Sequence, residues 1–201
     1  MSLPHLCPLS PLWLNQIFMP YLFTFITICL LSLTGAHAET TKVLFDFADP
    51  AAMRGWQVED DGVMGGASRG NMVHDKPGHL IFHGDVSLEN NGGFSSIQNN
   101  FDPLDVSGYQ HAILRLKGDG KDYRFIVESD PKARHYYVAE FGTSGEWQEI
   151  KIPLRTMYPM RRGDRLDLPE YPAETLSQVR FMIANGRAES FRLEIASIRL
   201  E

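Results

Sequence analysis

The feature of the sequence that most limits the possible folds is a succession of short segments in which apolar and polar residues alternate. In HAILRLKG (111–118), Ala112, Leu114 and Leu116 fall on one face and the residues between them on the other. A period of two is typical of β-strands with one buried face. The same interpretation predicts strands at 42–47, 79–86, 94–101, 111–118, 122–129, 135–142, 147–154, 178–184 and 191–200.

Glycine, asparagine and aspartate clusters separate these segments and predict turns, and the one at 117–121 predicts a hairpin because it joins adjacent strands. In 191–200 the alternation changes phase near Ser197, which predicts a β-bulge. Only short helices are expected, near 50–54 and 173–177. Many short strands favour an all-β fold, and we predict an antiparallel jelly-roll β-sandwich.

The first 38 residues differ from the rest, since they contain no Asp, Glu, Lys or Arg. An apolar run of 13 residues, Tyr21 to Leu33, precedes small residues ending at Ala38, which is the order of a cleaved secretory signal peptide. A membrane helix needs ~20 apolar residues. The sequence therefore predicts a signal peptide at 1–38 and a single exported domain at 39–201, periplasmic or extracellular, with an uncleaved membrane anchor as the alternative.

Charge and cysteine content narrow the class of partner. Both cysteines, Cys7 and Cys29, lie in the predicted signal, so 39–201 has no disulfide, thiol chemistry or cysteine-ligated zinc. All charged residues lie in 39–201, and the net charge of −6 argues against nucleic acid. Contact with a membrane is expected only through an uncleaved signal segment.

The stretch EDDGVMGGASRG (59–70) contains a G-x-S-x-G pattern around Ser68. This pattern marks a hydrolase nucleophile elbow when a strand ends at the serine and a helix begins after it. Here the following sequence predicts a proline-glycine turn and a strand, so a serine hydrolase using Ser68 is only a remote alternative. The stretch is instead interpreted as a loop, which either caps the core with Met64 or presents acidic groups to a partner.

Three blocks of sequence, in order, resemble the complex I intermediate-associated protein 30 family. They are DDGVMGG with Ser68 and Gly70, VSLENNGGFSSIQ (86–98) and WQEIKIPLRTMYPMRRG (147–163), and the segment 179–200 is similar to the family's closing strands. The resemblance spans about 45–200. It implies a galactose-binding-like jelly roll and a non-enzymatic protein, because the mitochondrial relatives are assembly factors for complex I intermediates.

The predicted export signal departs from that family role, since complex I assembly work lies on the other side of the membrane. We therefore predict a non-catalytic, assembly-factor-like module that binds a protein in the cell envelope. A carbohydrate-binding module for envelope or extracellular glycan is the alternative. The two glycine-rich loops are expected to lie side by side and form the site, with a small basic cluster: Asp60, Asp61, Met64, Gly65, Gly66, Asn90, Asn91, Gly92, Gly93, Phe94, Arg161 and Arg162.

Other residues give weaker signals. His79 and His83 share a strand face but lack a third metal ligand. Carboxylates of Asp46, Asp49 and Glu194 on terminal strands suggest a structural calcium site, although no cofactor is otherwise expected. Six aromatic residues could stack on sugars, but adjacent tyrosines must face opposite ways and no row of three is visible: Trp56, Trp147, Tyr136, Tyr137, Tyr158 and Tyr171.

Overall fold

A computed structural model describes residues 41–201, so the predicted signal peptide lies outside the described residues. Thirteen strands lie in this part of the chain: β1 (Lys42–Asp46), β2 (Trp56–Asp60), β3 (Arg69–His74), β4 (Leu80–Val86), β5 (Ser95–Asp105), β6 (His111–Lys117), β7 (Asp122–Glu128), β8 (Tyr136–Gly142), β9 (Trp147–Pro153), β10 (Tyr158–Arg161), β11 (Asp164–Arg165), β12 (Thr175–Ile183) and β13 (Glu189–Leu200).

The strands form two antiparallel sheets. One has the order β3-β4-β13-β6-β9, with β1 also paired to β13, and the other has the order β11-β10-β8-β7-β12-β5-β2. Between them lies a buried core that includes Phe82, Phe125 and Phe181. The predicted all-β, jelly-roll sandwich is therefore confirmed. Within 41–201, no helix has the length and apolar character needed to cross a bilayer.

Most strand predictions match the structure to within a few residues, and the predicted bulge is present as a register shift between Ile195 and Ser197. Four strands were missed: β2, β3, β10 and β11. The predicted helix near 50–54 is a 3₁₀ turn, Pro50–Met53, whose start is capped by the Asp49 carboxylate.

Two local predictions are wrong. The segment 173–177 is not helical: Ala173 has φ of 51° and β12 begins at Thr175, because its buried Leu176 belongs to the sheet. The turn at 117–121 is not a hairpin, since β6 pairs with β13 and β9 while β7 pairs with β12 and β8. The turn instead carries the chain from one sheet to the other, and the inner faces of both strands join one core.

Candidate functional site

Asp61 holds the two glycine-rich loops together from the inside. Its side chain is fully buried, immediately after β2. One carboxylate oxygen accepts the amide of Ser68 (3.0 Å), and the other accepts the Ser68 hydroxyl (2.5 Å) and the amides of Gly93 (2.6 Å) and Phe94 (3.3 Å). Since Ser68 and Gly93 belong to different loops, this one carboxylate fixes both. We call Asp61 and these partners the Asp61 clasp.

The Asp61 clasp stabilises a buried negative charge. Burial by itself would raise the pKa of Asp61, but the hydrogen bonds from Ser68, Gly93 and Phe94 outweigh it and hold the pKa below its ordinary value of 3.8. The group is therefore ionised at neutral pH, and its hydrogen bonds are of the stronger, charge-assisted kind.

Two glycines of the motif are needed because their backbone lies against this carboxylate. A Cβ at Gly66 would lie 2.3 Å from an oxygen of Asp61, and a Cβ at Gly92 would lie 2.5 Å from the other. Gly65, which directly precedes Gly66, has φ of 89°, in the left-handed region that favours glycine. Glycine is therefore required at 66 and 92 by the close approach of the carboxylate, and it is favoured at 65 by the geometry of the turn.

Asp60 adds a second link, between the strands β3 and β5 that follow the two loops. Its carboxylate accepts the amide of Gly70 (2.9 Å) and the hydroxyl of Ser95 (2.6 Å). The loops at 60–66 and 90–94 therefore lie side by side, as expected from the sequence. Their role as a partner-binding surface stays a prediction.

The residues predicted to bind a partner are unequally accessible. Asp61 is buried, so it can affect a partner only through the loop shape it fixes. Met64, by contrast, is 66% exposed, and Asn90 and Asn91 are exposed with left-handed φ of 55° and 60°. The sequence interpretation missed Leu88, which is 46% exposed and lies over Gly93. The sequence did contain a signal for Leu88, because it is an apolar residue beside a predicted glycine-rich loop.

Ser68 is not placed as a nucleophile. Its hydroxyl donates to Asp61 and accepts the amide of Ser87 at 2.9 Å, and the residue is nearly buried. The strand β3 begins directly after it, where an elbow requires a helix. The serine therefore has a structural role in the Asp61 clasp.

The seven-stranded sheet has a second face, turned away from the core. Tyr123, Phe125 and Val127 of β7 enter the core, so the residues alternating with them project the other way. An apolar cluster lies there, formed by Ile126, Val138, Met160 and Met182 with Phe94, Tyr136, Tyr158 and Ala184 around it. We call this side of the sheet the outer face.

Strand registers place polar side chains beside that apolar cluster. Gln98 of β5 is opposite Arg180 of β12, which is opposite Ile126 of β7. Two residues along the same strands, Gln178 is opposite Glu128. The outer face thus has a polar half, formed by Glu59, Gln98, Gln178 and Arg180 on β2, β5 and β12. Its apolar half is the cluster described above, which extends from Met182 of β12 across β7 to β8 and β10.

Charges on the outer face are largely paired. Arg180 contacts Glu59 at 3.2 Å, and Arg124 contacts Glu140 at 3.0 Å. Burial raises the pKa of Glu128; nearby Arg180 opposes this shift and Glu59 adds to it. The guanidinium of Arg165 lies 4.4 Å from the centre of the Tyr158 ring.

Several polar atoms of this face lack partners. Among the described residues, buried side-chain atoms without a hydrogen bond include Gln98 Oε1, Gln178 Oε1 and Arg180 Nε. Gln178 is 5% exposed, and its amide nitrogen donates to Asn100 at 2.6 Å. Sequence reasoning missed these residues because polar positions in a strand normally indicate solvent.

The predicted basic cluster lies elsewhere. Arg161 ends β10, and Arg162 with Gly163 forms the two-residue turn to β11, with φ of 52° and 91°. β11 is at the opposite edge of the sheet from β2. Arg161 and Arg162 are therefore not brought together with the glycine loops.

The suggested calcium ligands do not converge. Asp46 and Asp49 accept amides of Ala48 and Ala51, within their own turns. Among the described residues, the group with metal-ligating spacing is instead Asp75, His79 and Glu194, in which Asp75 and His79 are hydrogen-bonded at 3.0 Å. His83 is not a member of this group.

The aromatic residues divide between core and surface. Trp56, Tyr137 and Tyr171 are buried in the core, whereas Tyr136 lies on the outer face, as the opposite orientation of adjacent residues predicts. Tyr158 lies there too. Trp147 is 38% exposed and contacts the ring of His79 on the other sheet.

Comparison with known proteins gives a family and a fold. Residues 45–195 match the family model described as complex I intermediate-associated protein 30. No curated protein sequence matches the chain.

Among solved structures, the chain is similar to a family 11 carbohydrate-binding module from Clostridium thermocellum in complex with a β-1,3-1,4-mixed-linked tetrasaccharide. The TM-score is 0.61 at 18% identity, over 80% of this chain and 94% of that chain. A family 11 module of a cellulosomal cellulase from the same organism gives 0.59 at 18% identity, over 80% and 94%. A family 29 carbohydrate-binding module mutant gives 0.50 at 13% identity, over 81% and 91%. At these identities the likeness shows the fold alone.

Proposed function

The chain belongs to the complex I intermediate-associated protein 30 family, and from this premise we propose that it is a non-catalytic, assembly-factor-like binding module. It acts after export to the cell envelope, where it holds a protein partner through the two loops of the Asp61 clasp. Export is inferred from the charge-free segment 1–38, with its apolar run and small-residue end. That location makes an envelope protein the partner in place of complex I.

The observation that carries the proposal is a pair of exposed apolar side chains on two loops that the buried Asp61 carboxylate fixes in place. Met64 and Leu88 belong to different loops, and Asp61 bonds to both loops. A surface fixed before binding loses less conformational entropy when a partner docks. Methionine also adapts its shape to a partner surface. The loops therefore suit protein recognition.

A non-catalytic role is supported by the chemistry of the same region. The motif serine and aspartates are hydrogen-bonded to one another and to backbone amides, which occupies the atoms that catalysis would use. Catalytic assignment needs a nucleophile or acid-base group with a free reacting atom in a cleft. Within the Asp61 clasp we find none among the described residues.

The proposal is tested by replacing Met64 and Leu88 together with serine. Wild type and variant are used to capture proteins from the envelope fraction of the native host, and the captured proteins are quantified by mass spectrometry. Because apolar contacts at an interface centre carry much of the affinity, capture of the specific partner should fall at least about tenfold. Thermal stability should not change, since both side chains are exposed.

A matched control is Val43→Ser, which removes a side chain that is 56% exposed on β1 of the other sheet. It should capture the same proteins as the wild type. If the loop variant folds normally and also captures them unchanged, the loops are not the binding surface. The alternative partner is a glycan, and the features that support it lie on a different surface, the outer face.

A further inference from the structure

We propose that the outer face of the seven-stranded sheet is a binding site for a neutral glycan chain, separate from the exposed loop residues Met64 and Leu88. The proposal rests on the observation that unpaired polar atoms are concentrated on this face. Of the six buried side-chain atoms without a hydrogen bond in residues 41–201, four belong to this face. The Glu59 oxygen is in the ion pair with Arg180, which leaves three unpaired atoms, on Gln98, Gln178 and Arg180. Folded proteins rarely leave such atoms unpaired, because each has lost its hydrogen bonds to water without gaining others.

These atoms match the hydrogen-bonding capacity of hydroxyl groups. Arg180 Nε is a donor, whereas Gln98 Oε1 and Gln178 Oε1 are acceptors. A hydroxyl group donates one hydrogen bond and accepts others, so hydroxyls placed along this polar half can satisfy both kinds of atom. Because the atoms are buried, the side chains must rotate toward the ligand to form these bonds. A ligand with many hydroxyl groups is therefore the class that fits.

The charges of the face favour a neutral ligand. Arg180 is paired with Glu59 and Arg124 with Glu140, and Glu128 adds a further acid group beside Arg180. Binding of phosphate or sulfate needs cations that are free to pair with it. Arg180 and Arg124 are already paired, and Arg165 lies over the ring of Tyr158. A nucleic acid or an anionic polysaccharide is thus disfavoured.

An extended peptide is also disfavoured by the geometry. Peptides that join a sheet do so at its edge, through free backbone groups. Gln98, Gln178 and Arg180 lie on β5 and β12, which are interior strands with a partner on each side. Their backbone groups are used within the sheet, and only side chains are offered to a ligand.

The apolar half completes the match to sugars. Tyr136 and Tyr158 lie beside Val138 and Met160, next to the polar half. A pyranose ring has hydroxyl groups at its edge and C–H groups on its faces, so it can satisfy both halves at once. From β5 to β10 the face crosses five strands, a span of about 20 Å at the usual strand spacing. That length suits an oligosaccharide.

The test is binding of neutral oligosaccharides, first on a glycan array and then by calorimetry with each array ligand and with the β-1,3-1,4-mixed-linked tetrasaccharide. The variant Gln98→Leu with Gln178→Leu removes two acceptors while keeping side-chain volume. Its affinity should fall at least about tenfold, as expected for the loss of buried hydrogen bonds to the ligand. The control Gln110→Leu changes an exposed glutamine before β6 and should bind as the wild type does.

Backbone amide shifts on titration distinguish the outer face from the loops. Shifts are expected in 96–100 and 178–182 and not in 62–66 or 88–91, and the Met64/Leu88 serine variant should bind glycan normally. Three results would overturn the inference: no neutral glycan binds, only anionic glycans bind, or the double leucine variant binds with wild-type affinity. A failure here leaves the protein-capture result for the loops unaffected, and the converse also holds.

Discussion

The Asp61 clasp and the outer face both place polar groups out of contact with water, but the two regions differ in how completely these groups are hydrogen-bonded. The carboxylate of Asp61 accepts four hydrogen bonds, and its pKa is lowered. On the outer face, Gln98 and Gln178 each have an unpaired oxygen, and the pKa of Glu128 is raised by burial. Complete pairing gives Asp61 a structural role, and incomplete pairing on the outer face is the observation from which the glycan site is proposed.

This difference changes the meaning of the acidic motif. Paired aspartates in a glycine-rich loop suggest a charged surface, yet the structure turns Asp61 inward, so its charge organises the loops. A double asparagine variant of Asp60 and Asp61 is therefore a test of folding. The surface of the loops is tested through Met64 and Leu88 instead.

The largest expected effect is from Asp61→Asn. The amide side chain would place a donor against the donors of Ser68, Gly93 and Phe94, so the free energy of unfolding should fall by about 3 kcal/mol. Urea unfolding followed by circular dichroism measures this loss. Asp102→Asn, at an exposed position of β5, is the control and should change little. Equal stability of the two variants would show that the Asp61 clasp does not stabilise the fold.

Next in size is the effect of Gly66→Ala. Its Cβ would lie 2.3 Å from the Asp61 carboxylate, and such overpacking costs about 1–3 kcal/mol. Gly62→Ala is the matched control, because nothing lies within 4 Å of its Cβ position. The control should remain within about 0.5 kcal/mol of the wild type, as is usual at an open surface position. A comparable loss in both variants would contradict the close-approach explanation.

The pH dependence of stability should have opposite signs in the two regions. Because the pKa of Asp61 is lowered in the folded state, its contribution is present above its ordinary value of 3.8 and is lost as pH falls through the folded pKa. The pKa of Glu128 is raised, so stability should fall as pH rises from its ordinary value of 4.5 to the folded pKa.

Thermal unfolding of the wild type and Glu128→Gln between pH 3 and 7 checks this sign. The variant should lack the decline above pH 4.5 while keeping the loss of stability at lower pH that arises from Asp61. Parallel curves for the two proteins would show that Glu128 has no raised pKa in the folded state.

The smallest expected effect on stability is from Gln98→Leu. Removing an unpaired buried oxygen relieves a cost, so the free energy of unfolding should stay the same or rise by up to about 1 kcal/mol. Differential scanning calorimetry measures the change. A clear loss of stability would mean that Gln98 stabilises the fold, and the contrast with Asp61 would disappear.

Much of the fold could be predicted because alternation is a local property. Nine strands and the bulge near Ser197 follow from which neighbours are apolar. Short or proline-containing strands such as β10 and β11 gave no such pattern. The assignment of β6 and β7 to different sheets could not be predicted either, since a short turn suits a hairpin as well as a crossing between sheets.

The candidate sites were only partly predictable. The glycine loops carry a recognisable motif, so their residues and proximity were expected. The direction of the Asp61 side chain was not, because its partners Gly93 and Phe94 are 32 and 33 residues away. For the outer face, no motif existed, since Gln98, Gln178 and Arg180 meet only through strand pairing.

The sequence by itself determined nine of the thirteen strands in residues 41–201, the jelly-roll class, the family and the glycine-rich loops, because these depend on local alternation and on contiguous motifs. The tertiary structure decided which carboxylate is buried and which polar side chains are left unpaired. Hydrogen-bond satisfaction depends on donors and acceptors from distant strands reaching one place, and strand order and register alone determine which of them meet.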